Sequence, residues 1–314
     1  MDWETYWNHL ITEKKLQNKV RAMDAIDCEK NGECKIKNIC HDIYTDYKSY
    51  REELEQVRKN FLEIIDTFPG VHLQTSRVKT LDGLLEKVIT KRHQHLLDAE
   101  NLYSDINGGN YKDILTDLVG IRLIISYRGK WIDLHNTIVE RFPYIEDKTL
   151  YKPNRFIPHL STGKGIIAEI PVVYYAYNDD IEAYEQTGIR AELREDGYRS
   201  IHYIISYQHT YIEIQVRTIY DEAWSDCDHL YVYKHEENKS HTALKELSGI
   251  LCNLTNVSNE LGDKMCDIFQ EESIIEKDGF YQTEGGVVLQ IQKIFDRIND
   301  TQHQFKDFME RLQG

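Results

Sequence analysis

Proline is scarce in this chain, at 5 of 314 residues, with 17 glycines. That excludes Pro/Gly-rich linkers and collagen-like segments. Cysteine is scarce as well, and 6 thiols in a chain of this length do not make a disulfide scaffold. No apolar run approaches the ~20 residues that span a bilayer. The N-terminus, MDWETYWNHLITEKK, lacks the basic-then-apolar order of a signal peptide. Positive charge is also in deficit: 38 Lys and Arg stand against 53 Asp and Glu, a formal net charge of −15. Proteins that hold duplex DNA or long RNA usually carry net positive charge or a basic stripe, and neither is present. A small anionic substrate needs only a local positive pocket. The expectation is a soluble cytoplasmic protein with neither DNA nor membrane among its partners.

Familiar signatures are missing too. There is no G-x-x-x-x-G-K-[ST], G-x-G-x-x-G, G-x-S-x-G or H-E-x-x-H. The nearest approach to a P-loop, Ser161-Thr162-Gly163-Lys164-Gly165, has Pro158 in place of the upstream glycine and reads as a loop. His41-Asp42 would suggest a metal phosphohydrolase only with further His and Asp ligands on neighbouring helices. No convincing set exists, so helix-start chemistry is the expected use of Asp42. Cys28, Cys34 and Cys40 are spaced more widely than paired zinc cysteines. Reduced thiols are expected there; a metal would need a fourth ligand such as His41.

What is present is a 41% apolar fraction, enough for a packed core. The length suggests about two domains, or one with appendages. Residues 1–24 read as one helix and 27–40, with Asn31-Gly32, as a polar loop. Ile43, Tyr47, Tyr50, Leu54, Val57, Phe61, Ile64 and Ile65 predict a long amphipathic helix over 41–68, ended by Pro69-Gly70. A third helix is predicted from Leu81 to His95. Val119–Ile125 reads as a buried strand, Trp131–Phe142 as a helix, and Ile166–Tyr175 as a strand placed near an edge or bulge by Pro171. Tyr203–Tyr207 and Tyr211–Val216 form a hairpin signal around Gln208-His209-Thr210. Beyond it, Leu247, Leu251, Leu254 and Leu261 form one helical stripe, and Ile291, Ile294, Ile298, Phe305, Phe308 and Leu312 a second, with a loop ending in Gly285-Gly286 between them. The order of elements gives an α+β class.

Four segments concentrate charge beside strand signals. In Ser76-Arg77-Val78-Lys79, Arg77 and Lys79 share one side of an extended segment. With Lys87 on the following helix they can hold a polyphosphate by charge-assisted hydrogen bonds. Asp117 begins the buried strand Val119–Ile125, where a carboxylate at a sheet edge can take Mg²⁺. In Asp196-Gly197-Tyr198-Arg199-Ser200-Ile201-His202, Gly197 permits a turn and Tyr198 offers a flat face to a base. In Glu213-Ile214-Gln215-Val216-Arg217-Thr218, alternation puts Glu213, Gln215 and Arg217 on one side of a strand, which is then either exposed or lines a site. Taken singly, these read as a solvated basic face, a strand-start Asp, a turn and an exposed strand.

Taken together and in order, R-x-K, D-x-x-G-x-R, G-Y-R-S-x-H and E-x-Q-x-R-T resemble the synthetase domain of the RelA/SpoT family of alarmone synthetases. Glu222-Ala223-Trp224, Asp228-His229 and Tyr233-Lys234 resemble the tail of the same domain. The resemblance covers about residues 70–235, leaving helical extensions at 1–69 and 236–314. It implies a mixed, nucleotidyltransferase-like sheet flanked by helices, and transfer of the β,γ-pyrophosphate of ATP to the 3′-hydroxyl of a guanine nucleotide, giving (p)ppGpp or pGpp. It implies that Arg77 and Arg122 sandwich the adenine and that Lys79 and Lys87 hold ATP phosphates. Asp117 would bind Mg²⁺, and Glu213 would serve the metal or activate the acceptor hydroxyl. Tyr198 would stack on the acceptor base, with His202 near its phosphates and Gln215 beside them.

The chain departs from the family pattern at Gly83, where a Ser is common, and at Asp196, where an Asn commonly precedes the G-Y pair. The interval Pro143–Glu195 is long enough to be a lid, an effector site or a different acceptor pocket. The N-terminal segment is too short for the hydrolase domain of bifunctional members, so synthesis without hydrolysis is expected. Two other readings compete. One is a toxin-like relative acting on the tRNA 3′ end, through a patch such as Lys87, Lys91, Arg92 and His93, or on an adenosine nucleotide. The other is an inactive scaffold that binds partners. The C-terminal stripes are expected to pack on each other and on the 41–68 helix within one monomer; a homo-oligomer interface is the alternative.

Overall fold

The computed structural model describes residues 1–31, 35–98, 100–145, 151, 165–177, 179–232, 241–278 and 284–313. The N-terminal segment is two helices rather than one, α1 (Trp3–Glu13) and α2 (Gln17–Asn31), broken where Lys15 takes a φ of +50°. The expected 27–40 loop is helical up to Asn31 and again from Lys35, where α3 (Lys35–Ile65) begins. Asp42 therefore lies inside a helix and not at its start. Cys40 is buried on the core side of α3. The side chains of Cys28 and Cys34 lie outside the described residues, as do Gly32, Ser161–Lys164 and Tyr233-Lys234. The stripe from Ile43 through Tyr47, Leu54, Val57 and Phe61 to Ile65 is buried, and α3 ends before Gly70, whose φ is +76°.

Next come β1 (Leu73–Val78), α4 (Leu81–Gln94), the short α5 (Tyr111–Ile114), β2 (Val119–Ile125) and α6 (Trp131–Arg141). The interval 143–195 is not a simple insertion, because it supplies β3 (Ile166–Ile167), β4 (Val172–Tyr175), α7 (Glu182–Gln186) and β5 (Arg190–Leu193). The single strand expected at Ile166–Tyr175 is thus two, parted just before Val172 by Pro171. The hairpin is β6 (Ser200–Tyr207) and β7 (Thr210–Thr218), followed by α8 (Ile219–Tyr231), α9 (His241–Asp278) and α10 (Glu284–Gln313). Gly285 and Gly286 are helical and not part of a loop.

The strands form one seven-stranded mixed sheet in the order β1-β2-β7-β6-β4-β5, with β3 also on β6. β2 runs parallel to β7 and β4 to β5; the other pairs are antiparallel. Register then sorts the side chains, because directly paired and alternate residues share a face. One row across the sheet is Arg77, Gly120, Glu213 and Ile204; the next is Thr75, Arg122, Gln215, His202, Val172 and Arg190. The opposite face carries Val119, Ile121, Leu123, Ile212, Ile214, Val216, Ile201, Tyr203 and Ile205, all within the main buried core. There Trp131 on α6 donates to the Tyr203 hydroxyl at 3.0 Å, and Phe61 on α3 stacks on Phe142. One face is core and the other is a polar platform.

The β6–β7 turn is Gln208-His209, with φ of +46° and +60°. That is the left-handed pair of a type I′ hairpin, usually Asn-Gly. His209→Gly is expected to stabilise the fold by about 1 kcal/mol, read as a raised melting temperature with unchanged activity.

The C-terminal helices pack on each other as expected, but the principal neighbours of α3 lie elsewhere. α9 packs on α8, on α10 and on the turn Arg128–Lys130, while α3 packs on α2, α4 and β1. Leu247, Leu254 and Leu261 remain 40%, 46% and 42% exposed. Ile294 and Phe308 of the second stripe are buried, whereas Phe305 is 48% exposed. Among the described residues no helix is long and apolar enough to cross a membrane.

Candidate active site

Lys79 follows β1, and its backbone is fixed on both sides: its N–H donates to Leu118 O at 2.9 Å and its carbonyl accepts from Tyr47 OH at 2.6 Å. This sets it beside Asp117, just ahead of β2. Lys79 Nζ and Lys87 Nζ, the latter on α4, reach the same Asp117 Oδ2 at 2.7 and 2.8 Å. Asp117 Oδ1 is buried and has no hydrogen-bond partner among the described residues. Burial opposes ionisation of Asp117, but the two ammoniums outweigh it and hold its carboxyl at about 2. Lys87 is held above its usual value: Asp117 outweighs the opposing effect of burial.

A carboxyl whose folded pKa lies below its unfolded value stabilises the fold above the unfolded value. That contribution is lost as the pH falls through the folded one. For Asp117 it is worth about 2 kcal/mol at neutral pH and disappears between about pH 4 and 2. Asp117→Asn is therefore expected to melt lower than wild type at pH 7, with the gap closing across that window. A gap that did not change with pH would locate the loss elsewhere.

Glu213 lies on β7 in register with Gly120, so nothing but a hydrogen atom stands between it and the β2 backbone on the platform. Its Oε1 is 3.3 Å from His202 Nδ1, and its Oε2 accepts from Gln215 Nε2 at 2.7 Å. Burial raises its pKa, but the His202 contact prevails and keeps it below the usual carboxylate range. The chain of bonds continues: Arg217 Nη2 donates to Gln215 Oε1 at 3.0 Å and to Tyr198 OH at 2.5 Å, and Tyr198 OH lies 3.0 Å from His202 Nε2. Glu213, His202, Tyr198, Arg217 and Gln215 thus form a closed polar ring on β6, β7 and the turn before β6.

Thr218 caps α8 by accepting from Asp221 N at 3.1 Å, and that helix brings Glu222 to the rim. Glu222 accepts from Arg122 at 2.6 Å and from Arg217 at 2.9 Å, linking the ring to β2. The sequence placed Arg217 on the same face as Glu213 and Gln215 but did not mark it as a site residue. At 5% exposure it is the strut of the ring.

Two clefts meet at Glu213. One, of about 190 Å³, is lined by Arg77, Arg122, Asp117, Gly120 and Gln215 with Glu213. The other, of about 250 Å³, has Glu213 and His202 with Lys87, Lys91, Tyr174 and Arg190. Tyr198 meets the rings of Tyr174 and His202 edge-on, at 5.8 and 6.1 Å. Every site residue expected from the sequence is therefore on or beside this platform. Sequence reasoning missed Tyr174, Arg190 and Glu169, and placed Lys91 only in the candidate tRNA patch. They belong to no motif and arrive through β4, β5, α4 and the approach to β4. Burial pushes the Glu169 carboxyl up against the pull of Arg190.

The two departures have local roles. Asp196 Oδ1 accepts from Tyr198 N at 3.1 Å and its carboxylate pairs with Arg194, so it shapes the turn before Tyr198. Gly83 N donates to Thr80 Oγ1, the α4 cap, and a Cβ at 83 would lie 3.1 Å from that oxygen. A cleft of about 920 Å³ lies off the platform, between Arg194–Gly197 and helices α9 and α10. It is lined by carboxylates and arginines, among them Glu195, Asp196, Glu246 and Arg311, with no lysine among its described lining residues.

Among the described residues no group of three or more His, Cys, Asp or Glu is arranged to hold a metal. Mg²⁺ commonly takes one or two carboxylates and completes its shell with substrate phosphates and water. Asp117, with its unpartnered Oδ1, and Glu213 line one cleft, and this pair of carboxylates fits that donor set.

No curated protein matches the chain. Solved structures of similar shape include a GTP pyrophosphokinase family protein from Streptococcus pneumoniae (17% identity, TM-score 0.42, covering 74% of this chain and 93% of that one). Small alarmone synthetase 1 from Bacillus subtilis gives 15% identity and a TM-score of 0.42, covering 76% of this chain and 100% of that one. Small alarmone synthetase 2 from the same organism gives 19%, 0.39, 73% and 97%. The model of the region found in RelA / SpoT proteins matches residues 76–238, just over half of the chain and all four motifs. By that match the chain belongs to the RelA/SpoT family.

Proposed function

We propose that this protein is a nucleotide pyrophosphokinase that moves the β,γ-pyrophosphate of ATP to the 3′-hydroxyl of a guanine nucleotide. The observation that carries the reading is Glu213: an ionised carboxylate where two clefts meet, one bordered by Arg77, Arg122 and Asp117, the other by Lys87, Arg190 and His202.

In this reading the first cleft takes the donor. Arg77 and Arg122, alternate positions of the same face, clasp the adenine; guanidinium planes stack well on aromatic rings. Lys79 and Lys87 hold its phosphates. Tyr198 stacks on the acceptor base, with His202 and Gln215 fixing the acceptor's approach. Glu213 takes the proton of the 3′-hydroxyl as that oxygen bonds the β-phosphorus; the bond from the β-phosphorus to the α,β-bridging oxygen breaks and AMP leaves. Mg²⁺ would be held by Asp117 and Glu213, and when bound it neutralises charge on the transferred phosphates. Catalysis here is mostly positioning and charge compensation, which a P-loop is not needed to supply.

A small nucleotide is favoured over tRNA by the fate of the basic patch. Lys87 is turned to Asp117, and Arg92 donates to the carbonyls of Ser104 and Ile106 at 2.6 and 3.2 Å. The experiment is incubation with γ-labelled ATP and Mg²⁺, offering GMP, GDP, GTP, AMP and deacylated tRNA in turn. Label is expected in a guanine nucleotide. Label confined to tRNA or AMP would replace the acceptor, and label in none of them would support the scaffold reading instead.

A further inference from the structure

α9 turns its polar side inward. Ser248, Cys252, Asn256, Asn259, Asp263 and Cys266 recur every three or four residues and so form one stripe. Ser248 Oγ donates to Asp228 at 2.7 Å, and Asn256 Oδ1 accepts from Arg128 at 2.7 Å. Asn259 Nδ2 donates to Asp221 at 3.0 Å. Asp263 accepts from the Gly129 N–H at 2.8 Å, and Cys266 Sγ accepts from Tyr127 OH at 2.9 Å. Of the apolar side chains on α9, Ile250 and Val257 are buried, whereas Leu247, Leu254 and Leu261 stay exposed. Buried polar pairs are sensitive to geometry, so a seam of this kind fixes the orientation of what it grips.

One of the things it grips is the turn that carries Tyr198. Cys252 Sγ accepts from Arg199 Nη1 at 3.0 Å, and the same nitrogen donates to Gly197 O at 3.3 Å. Arg199 Nε and Nη2 donate to the two oxygens of Asp179 at 2.7 and 3.1 Å. Gly197 has a φ of +85°, and a Cβ there would sit 2.7 Å from Cys252 Sγ. Both neighbours of Tyr198 are pinned, one by close contact with α9 and the other by an ion pair. Arg199 and Cys252 are each 7% exposed, and both lie behind the turn.

We propose that Arg199 and Cys252 are positioning residues for Tyr198: helix α9 and Asp179 act through them to hold the Gly197–Arg199 backbone, so that the Tyr198 ring is presented to the acceptor base. The proposal rests on the acceptor role given to Tyr198 above. α9 begins after the region matched to the family ends, so in this chain the acceptor side is completed by the C-terminal extension.

The test titrates the full chain with GDP in the presence of Mg²⁺ and a non-hydrolysable ATP analogue. Cys252→Val, Cys252→Ser and Arg199→Lys are compared, each with and without Tyr198→Ala. Cys252→Val and Arg199→Lys are expected to weaken GDP about tenfold while leaving the ATP analogue within about twofold. Cys252→Ser, which keeps an acceptor for Arg199, should bind like wild type. In the Tyr198→Ala background the further loss should vanish, because residues acting through one another are not additive. Unaltered GDP affinity in Cys252→Val and Arg199→Lys overturns the proposal, as does equal weakening of both ligands or a full additional loss in the Tyr198→Ala background. If wild type does not bind GDP, or Tyr198→Ala binds it as wild type does, the acceptor reading falls and this proposal with it.

Discussion

Glu213→Gln is expected to abolish pyrophosphate transfer, lowering turnover at least about a thousandfold while the fold survives. The change is nearly isosteric. The amide can still exchange hydrogen bonds with Gln215 and His202, so the ring keeps its shape. What is lost is the negative charge that, in the proposed mechanism, accepts the 3′-hydroxyl proton and would help hold the metal. The His202 contact holds the wild-type carboxyl below its usual range despite burial, which suits the proposed role as base at neutral pH. Turnover at saturating ATP and GDP, with a melting curve on the same sample, decides the matter. Near wild-type turnover would remove Glu213 from the chemistry.

Asp117→Asn is expected to be comparably inactive for a different reason. Removing the charge leaves Lys79 and Lys87 facing a neutral side chain and deprives the metal of its orphaned oxygen donor. The signature is loss of divalent-ion binding together with loss of transfer. With Mn²⁺ and ATP, the water-proton relaxation enhancement seen for wild type should fall to the level of MnATP alone. Retained enhancement with retained activity would show that Asp117 only anchors the two lysines.

The polar platform was legible because β7 writes it in alternation: Glu213, Gln215 and Arg217 against Ile212, Ile214 and Val216. β2 and β6 were legible from apolar runs beside charged motifs. β1 and β5 were not, since Leu73–Val78 and Arg190–Leu193 are short and mixed and become strands through pairing with β2 and β4. The break between α1 and α2 hides in a Lys-Lys pair that carries no Gly or Pro signal. The direction of α9 was the largest misreading. Its periodicity shows two faces, but which one turns inward depends on the partner, and here the partner offers Arg199, Arg128, Asp221 and a backbone N–H. The ring's closure through Arg217 and the arrival of Tyr174 and Arg190 likewise depend on tertiary register, which no local pattern encodes.

Product stoichiometry tests the central claim most directly. Purified full-length protein is incubated with ATP, Mg²⁺ and GDP, and the products are resolved by anion exchange and ³¹P NMR. The expected result is AMP and a guanine nucleotide bearing a 3′-pyrophosphate in equal amounts, both lost in Glu213→Gln. ADP with a singly phosphorylated acceptor, or AMP with free pyrophosphate and unmodified GDP, would contradict the assignment of this platform as a pyrophosphate-transfer site.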